Sequence, residues 1–537
     1  MSDFYQDPPR LGNQYTSDAL LRSYLKHRLP ATVVEAVEPD LQRFGERVVT
    51  EILALGNAAE SNPPRHVPYD AWGRRIDDIV VSDAWRALDR ISAEEGLVAI
   101  GYERRFGASS RVYQMAKLYL FHSSSATYSC PLAMGDGAAR FLEVLGDGIA
   151  AARNAFEHLT SRDPQKFWTS GQWMTERTGG SDVSGTSTVA RRSEEGFRLS
   201  GTKWFTSATT SQMAMALARI EGAPAGGRGL SVFLIELRDA DGSLRGIRVN
   251  RLKDKLGTRA LPTAELTLDD TPATLIGGEG DGVRKISALF NVTRVYNAVA
   301  AVSGMRRAVA LATDYASRRA AFGKLLVDQP LHAETLADLE MRVRAAFLLA
   351  FRVVDLMGKE ECGEATEAER AMMRLLIPVA KLYTAKEAVA VASEALEAFG
   401  GAGYIEDTGL PRLLRDAQVL PIWEGTTNVL SLDMWRAIER TDAFAPWLDD
   451  VRRRLGNTSH QSTAAVSEAA NRIAAHVAAT HDPATRQAGA RRLAFAIARV
   501  SAAVELIEMA ESQHADTEAP AVAMRWVKTW FGARGLG

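Results

Sequence analysis

Along most of the chain the apolar residues recur every three to four positions, but between residues 169 and 281 that period is lost. In its place stand FRLSGTKWFTS, MAMALARI, LSVFLIEL, GIRVNRL and AELTLDD, short and partly alternating runs separated by Gly, Asp and Pro. Such runs predict strands of a small antiparallel sheet or barrel. No helices alternate with them, which argues against a parallel sheet of the Rossmann kind. The glycine-rich GGEGDG at 277–282 therefore lacks the setting of a phosphate-binding loop and reads as the turn from sheet to helix.

On either side the helical period prevails. Residues 1–168 predict an N-terminal helical domain, with helices near 18–27 and 40–55 broken by the loop SNPPRHVPYDAWGRR. The Pro63–Pro64 pair bars a helix interior there. Residues 169–281 form the middle β domain, and 282–444 predict a four-helix bundle. Leu336, Leu339, Val343, Phe347, Ala350 and Val354 make one apolar stripe in that bundle, and Asp338 is spaced to pair with Arg342. The alanine-rich residues 445–537 read as a helical extension. The fold class is mainly α with a central antiparallel β domain.

A chain of 537 residues is too long for one core. With 64 basic and 66 acidic side chains, no global field calls for a nucleic acid or a membrane surface. Cys130 and Cys362 stand far apart without a CxxC, so neither a disulfide framework nor a metal site is expected. The start lacks a basic segment followed by an apolar core, no apolar run is long enough for membrane insertion, and ARGLG carries no address. A cytoplasmic location is the expectation.

Five stretches can carry chemistry. WMTERTGGSDVSGT at 173–186 offers small residues and hydroxyls to a flat polar ligand, or is simply a polar loop. GTKWFTS at 201–207 places an aromatic pair before hydroxyls, as would a core strand. RRAAFGKLL at 318–326 reads as a helix end with a glycine cap signal, its arginine either solvated or set for a phosphate. EAFGGAGYIED at 397–407 stops a long helix at a double glycine. VLPIWEGTTN at 419–428 sets a lone carboxylate, Glu424, between apolar residues and a small polar tail. A buried lone charge costs several kcal/mol unless paired, so an ordinary glutamate there faces water or an arginine.

In order and spacing these stretches resemble the FAD-dependent acyl-CoA dehydrogenase family over roughly residues 69–428. MTERTGGSDV looks like the family's first signature, and FGGAGY with WEGTTN like its second. NPPRHVPYDAWGRRIDD, KWFTS and the extension after 445 resemble the long AidB-like branch.

The resemblance implies roles residue by residue. Glu424 matches the base that takes the α-proton of an acyl-CoA while the β-hydrogen leaves as hydride to flavin N5. Ile422, Trp423 and the flavin would strip it of water, and a desolvated carboxylate is a stronger base. The glutamate's own N–H and a ribityl hydroxyl would stabilise the enolate oxygen. Gly425 would leave room for the thioester. Met174, Thr175, Gly180 and Ser181 match positions lining the isoalloxazine, Ser181 also facing substrate. Phe205 stands where a tryptophan is usual, and Ser207 where a threonine faces N5. Arg319, Phe322 and Gln329 match contacts to the pyrophosphate and adenosine end of FAD from a neighbouring subunit, as do Gly400 and Gly401. Thr426 and Asn428 match further FAD contacts, and Arg294 an arginine near the base and the CoA arm.

The sequence departs from the family in three places. Pro330 stands where a glutamine is usual, with Gln329 one position early. Asn291 replaces an acid that contacts CoA, which weakens the case for a standard CoA arm. Thr293 occupies the place where some branches carry their base, leaving Glu424 without a competitor. The resemblance further implies a homotetramer, or at least a dimer, and an electron-transfer flavoprotein or oxygen as acceptor. Two alternatives remain open. One is an AidB-like DNA-binding, alkylation-stress flavoprotein with weak dehydrogenase activity. The other is an acyl-CoA-sequestering protein or an oxidase. For the first, residues 446–537 hold eleven basic against nine acidic side chains, too slight an excess for a dedicated nucleic-acid domain. Arg452, Arg453, Arg454, Arg491 and Arg492 are expected on solvated helix faces.

Overall fold

The computed structural model describes residues 6–194 and 196–532. The readings of the N-terminal start and of ARGLG fall partly or wholly outside the described residues. The chain forms two compact units, one of residues 51–103 and 124–296, the other of residues 1–50, 104–123 and 297–537.

The first unit begins with a hairpin of β1 (Arg65–Tyr69) and β2 (Arg75–Val80). This stretch was expected to be a loop. Pro63 and Pro64 do end the preceding helix, Leu53–Ser61, but Asp77 then ties the strands together, bonding His66 at 2.8 Å and Arg75 at 2.7 Å. The sheet proper holds β3 (Ser170–Trp173), β4 (Val189–Ser193), β5 (Gly196–Ser207), β6 (Met213–Ile220), β7 (Leu230–Glu236), β8 (Ile247–Leu252) and β9 (Thr263–Ile276). Strands β6, β4, β5, β9 and β7 pair in that order, and β7 pairs back to β6, closing a barrel. All pairings are antiparallel except those of β3 and β4 with β6. Long connections make these two possible, since a parallel pair needs a crossover and not a tight turn.

The five alternating runs became β5 to β9. Strand β6 is buried along nearly its whole length. Helices Ser129–Leu145 and Ala150–Leu159 supply Phe141, Leu142 and Leu159 to one buried cluster with Met213, Met215, Leu217, Val232 and Leu234. GGEGDG is the expected turn, with Gly277, Gly278, Gly280 and Asp281 all at positive φ before the helix starts at Gly282.

In the second unit, helices Pro330–Glu361 and Glu367–Ala398 pack along each other. The former also packs on Ser109–His122 and Pro483–Glu511, the latter on Thr427–Thr441. Pro330 opens the first long helix at a position where its missing N–H costs nothing. Thr366 and Glu369 form a capping box on the second. The stripe from Leu336 to Val354 is buried throughout. Asp338 and Arg342 do not pair, because longer-range partners reach them first: Arg342 bonds Glu387 at 2.9 Å and Asp338 lies 3.5 Å from Arg525.

The extension comprises helices Phe444–Gly456, Thr463–Ala479, Pro483–Glu511 and Ala519–Phe531. Four of its five named arginines lie on solvated faces as expected, and Arg454 does not. Arg454 is buried against Glu505 and Glu508, Arg453 pairs with Asp450, and Arg452 donates to Asn471 at 2.9 Å. Arg452, Arg453, Arg491 and Arg492 are exposed as read, and Arg454 alone is buried. For Arg454, the long-range acids Glu505 and Glu508, invisible in a local window, account for the difference.

Candidate active site

Glu424 sits in the turn between helices Pro411–Ala417 and Thr427–Thr441. Its φ is +58° and that of Gly425 is +104°. Left-handed backbone at a non-glycine residue other than Asn or Asp is uncommon and costs about 1–3 kcal/mol. The turn is held from two helices. Lys381, on Glu367–Ala398 and fully buried, donates from Nζ to the carbonyl of Trp423 at 2.7 Å and to that of Gly425 at 2.8 Å. Asn297, on Ser287–Ala316, donates to the carbonyl of Leu420 at 3.2 Å. Thr426 caps the following helix, accepting from the Val429 N–H, and Asn428 is exposed in its first turn. Ile422 does not shield the glutamate by burial within the chain as expected, being 62% exposed, while Trp423 is half-buried. A tight reversal of only a few residues has no second layer to cover its outer side.

The other residues read from the second unit lie on a short hairpin and at the end of the helix Glu367–Ala398. Residues 318–326 are not a capped helix end. The helix stops at Ala316, and Phe322 (φ +52°) and Gly323 (φ +78°) form the two-residue turn of a hairpin, β10 (Ala320–Ala321) and β11 (Lys324–Leu325). Two successive positive φ values are what such a hairpin turn requires. Gln329 donates its amide to the Ala321 carbonyl at 3.0 Å and so braces this hairpin. Arg319 is half-buried, its N–H bonded to the carbonyl of Tyr315, whose ring lies 5.0 Å from that of Phe399. That contact joins the end of this helix to the residue just before Gly400 and Gly401, where an added Cβ would meet nothing within 4 Å. Phe322 is 99% exposed.

In the first unit, Met174 is buried at the end of β3. The Thr175 carbonyl accepts from the Trp204 N–H at 3.0 Å, joining the Thr/Ser/Gly loop to β5. Gly180 lies against Thr175, where a Cβ would come within 2.7 Å of its hydroxyl. Ser181 is exposed and Ser207 donates or accepts with the Thr263 hydroxyl at 3.0 Å. Phe205 is 53% exposed, with Lys253 Nζ 4.6 Å from its ring centre. Arg294 is half-buried on Ser287–Ala316.

Sequence reading missed the groups that hold these loops. Glu176, inside the first signature, accepts from buried Lys203 at 2.7 Å and from the N–H and hydroxyl groups of Ser187 and Thr188. Burial alone would raise its carboxyl, but Lys203 and the hydroxyls outweigh that and bring it down to about 2. Lys203 also donates to the Leu217 carbonyl at 2.8 Å, which anchors loop and barrel together. Lys381 was missed too. Its one signal was a lysine within the apolar run LLIPVAKLYTA. Among the described residues no group of three His, Cys, Asp or Glu could hold a metal ion.

Comparison with known proteins agrees with this arrangement. Residues 7–163 match the adaptive response protein AidB N-terminal domain, and 171–271 the acyl-CoA dehydrogenase middle domain. Residues 280–439 match the acyl-CoA dehydrogenase C-terminal domain, and 442–531 the acyl-CoA dehydrogenase 11 C-terminal domain-like family. The chain is 43% identical to acyl-CoA dehydrogenase family member 11 of Caenorhabditis elegans, over 99% of this chain and 91% of that one. It is 34% identical to the AidB protein of Escherichia coli (strain K12), over 74% of each. The solved structure of Caenorhabditis elegans ACDH-11 in complex with C11-CoA superposes with a TM-score of 0.96 at 44% identity, covering 98% of this chain and 92% of that one.

Proposed function

The chain belongs to the acyl-CoA dehydrogenase family, in its AidB-like branch, and from that premise we propose that it desaturates an acyl-CoA thioester between Cα and Cβ, with Glu424 as the base. It is an oxidoreductase, and FAD is the cofactor of this family. The residues fit such a group. Phe205 presents an uncovered ring, Gly400 and Gly401 leave open backbone, and Thr175, Ser181 and Ser207 supply hydroxyls. When bound, FAD supplies the two-electron acceptor for the β-hydrogen.

The chain's own residues do the rest. Met174, Thr175, Gly180, Ser181, Phe205 and Ser207 would hold the isoalloxazine end. Arg319, Phe322, Gln329, Gly400 and Gly401 would hold the pyrophosphate and adenosine end of a neighbouring subunit's FAD in a homotetramer. Thr426 and Asn428 would add contacts at a helix N-terminus, where anions are favoured. Glu424 would take the α-proton at its carboxylate, its N–H would donate to the thioester oxygen, and Arg294 would meet the CoA arm. Electrons would pass on to an electron-transfer flavoprotein or to oxygen. We place this chemistry in the cytoplasm, where Cys130 and Cys362 remain thiols.

The observation that carries the reading is the backbone at Glu424. A carboxylate kept in a left-handed turn, pinned by a buried lysine, is held for its direction and not for its stability. The test is anaerobic titration with acyl-CoAs, beginning with C11-CoA because a relative was solved with it. Wild type should lose its oxidised-flavin absorption with one chain-length class, and Glu424→Gln should slow this by about 10²–10⁴-fold while still binding flavin. Bound flavin that no acyl-CoA reduces would overturn the proposal and favour sequestration. Because Arg454 is buried against acids and Arg453 is paired with Asp450, the nucleic-acid alternative is left with Arg452, Arg491 and Arg492 as exposed basic side chains from this set, too few for a phosphate-binding face.

A further inference from the structure

Lys381 makes a contact that goes beyond holding a turn. Its Nζ reaches the carbonyls on both sides of Glu424, those of Trp423 and Gly425, at 2.7 and 2.8 Å. Three consecutive residues are thereby bridged by one buried side chain. The peptide planes Trp423–Glu424 and Gly425–Thr426 are thereby held, one directly before Glu424 and one a residue beyond it, which restrains the backbone that sets its Cα–Cβ direction. The carbonyl of Trp423 belongs to the same peptide group as the N–H of Glu424. In a trans peptide the two point in opposite directions. An ammonium at the carbonyl therefore aims that N–H the other way, and it also polarises the peptide and strengthens the N–H as a donor.

We propose that Lys381 is a positioning residue for the reaction. It sets the carboxylate of Glu424 and charges the Trp423–Glu424 peptide so that its N–H stabilises the enolate oxygen of the substrate. This rests on the reading of Glu424 as the base. Lysine suits the task because a compact cation with several donors can serve two carbonyls from one direction. The balance of the step is simple: the α C–H bond breaks, the proton passes to the Glu424 carboxylate, and the electron pair delocalises onto the thioester oxygen that faces the N–H. Lys381 exchanges no proton with the substrate.

The test uses full-length, FAD-loaded protein and a 3-thia acyl-CoA. This analogue can lose its α-proton but has no β-hydrogen to give up, and its anion shows a long-wavelength charge-transfer band with oxidised flavin. Band intensity against pH reports α-proton removal without turnover. Lys381→Met removes the hydrogen bonds and the charge, whereas Lys381→Gln keeps a donor and removes only the charge. In Lys381→Met we expect the midpoint of band formation to move up by at least one pH unit, with flavin content unchanged and analogue affinity within threefold. Amide exchange in 419–428 of the ligand-free protein should quicken about tenfold. Lys381→Gln should restore slow exchange but not the midpoint. A Lys381→Met midpoint equal to wild type would overturn the proposal while leaving Glu424 as the base. Failure of wild type itself to form the band, with Glu424→Gln indistinguishable from it, would instead overturn the proposed function. Should Lys381→Met not retain flavin, the midpoint in Lys381→Gln decides. Loss of flavin from both variants would make Lys381 a fold residue and overturn its positioning role.

Discussion

At Glu424, backbone strain coincides with the proposed role of base. Its φ of +58° is a conformation that glycine adopts without penalty and glutamate does not. Most substitutions destabilise, but here the expectation reverses. Glu424→Gly should leave stability unchanged or raise it by about 1 kcal/mol while abolishing reduction by acyl-CoA. Chemical denaturation beside anaerobic titration checks both halves, and a loss of several kcal/mol would show that the side chain holds the turn. Lys203 and Glu176 illustrate the opposite economy at the first signature. There a buried ion pair, satisfied on every side, fixes a loop whose own residues are small and exposed.

Among the elements, the helix Pro483–Glu511 is bound to its neighbours through charge as well as apolar packing. Its Glu505 is buried beside Arg454, Arg352 and Arg28. Burial alone would raise this carboxyl, yet the three arginines hold it below its ordinary value of 4.5. A carboxyl depressed in the folded state adds stability above its unfolded value and loses it as pH falls below that. The helix should therefore loosen progressively as pH drops from about 4.5. At neutral pH, Glu505→Gln strands buried guanidinium charge and should cost about 3–5 kcal/mol. Hydrogen exchange resolved by segment tests this, with 483–511 expected to open before the barrel strands. Equal protection of both at low pH would count against the role given to Glu505.

For the whole molecule, Phe322 raises the question of assembly. It is 99% exposed at a turn position with φ +52°, where aspartate or asparagine would be the easier choice. Tyr404 and Leu331 of the same unit are exposed to 91% and 82%. The subunit contact proposed above, which would also hold FAD, would account for such a phenylalanine. Phe322→Asp should keep the single chain folded, since aspartate tolerates that backbone. It should also lower the particle mass toward the 58.4 kDa of one chain and reduce retained flavin. Light scattering and absorbance read both, and an unchanged mass would remove Phe322 from the contact.

Much of this was legible in the amino-acid order. Strands β5 to β9 announced themselves by alternation, and the stripe from Leu336 to Val354 by its helical step, because burial of one face imposes a period on the chain. The carboxylate of the candidate site stood out because it interrupted an apolar run. Strands β3 and β4 were not legible. They are short, and their parallel partner β6 lies far along the chain. The same holds for Arg454, read as solvated and found buried against acids some fifty residues away. Periodicity and local capping are written in neighbouring residues and can be read from them. Which lysine reaches the carbonyls around Glu424, and which acid neutralises Arg454, depends on contacts that exist only once distant segments meet, and only the tertiary structure decided those.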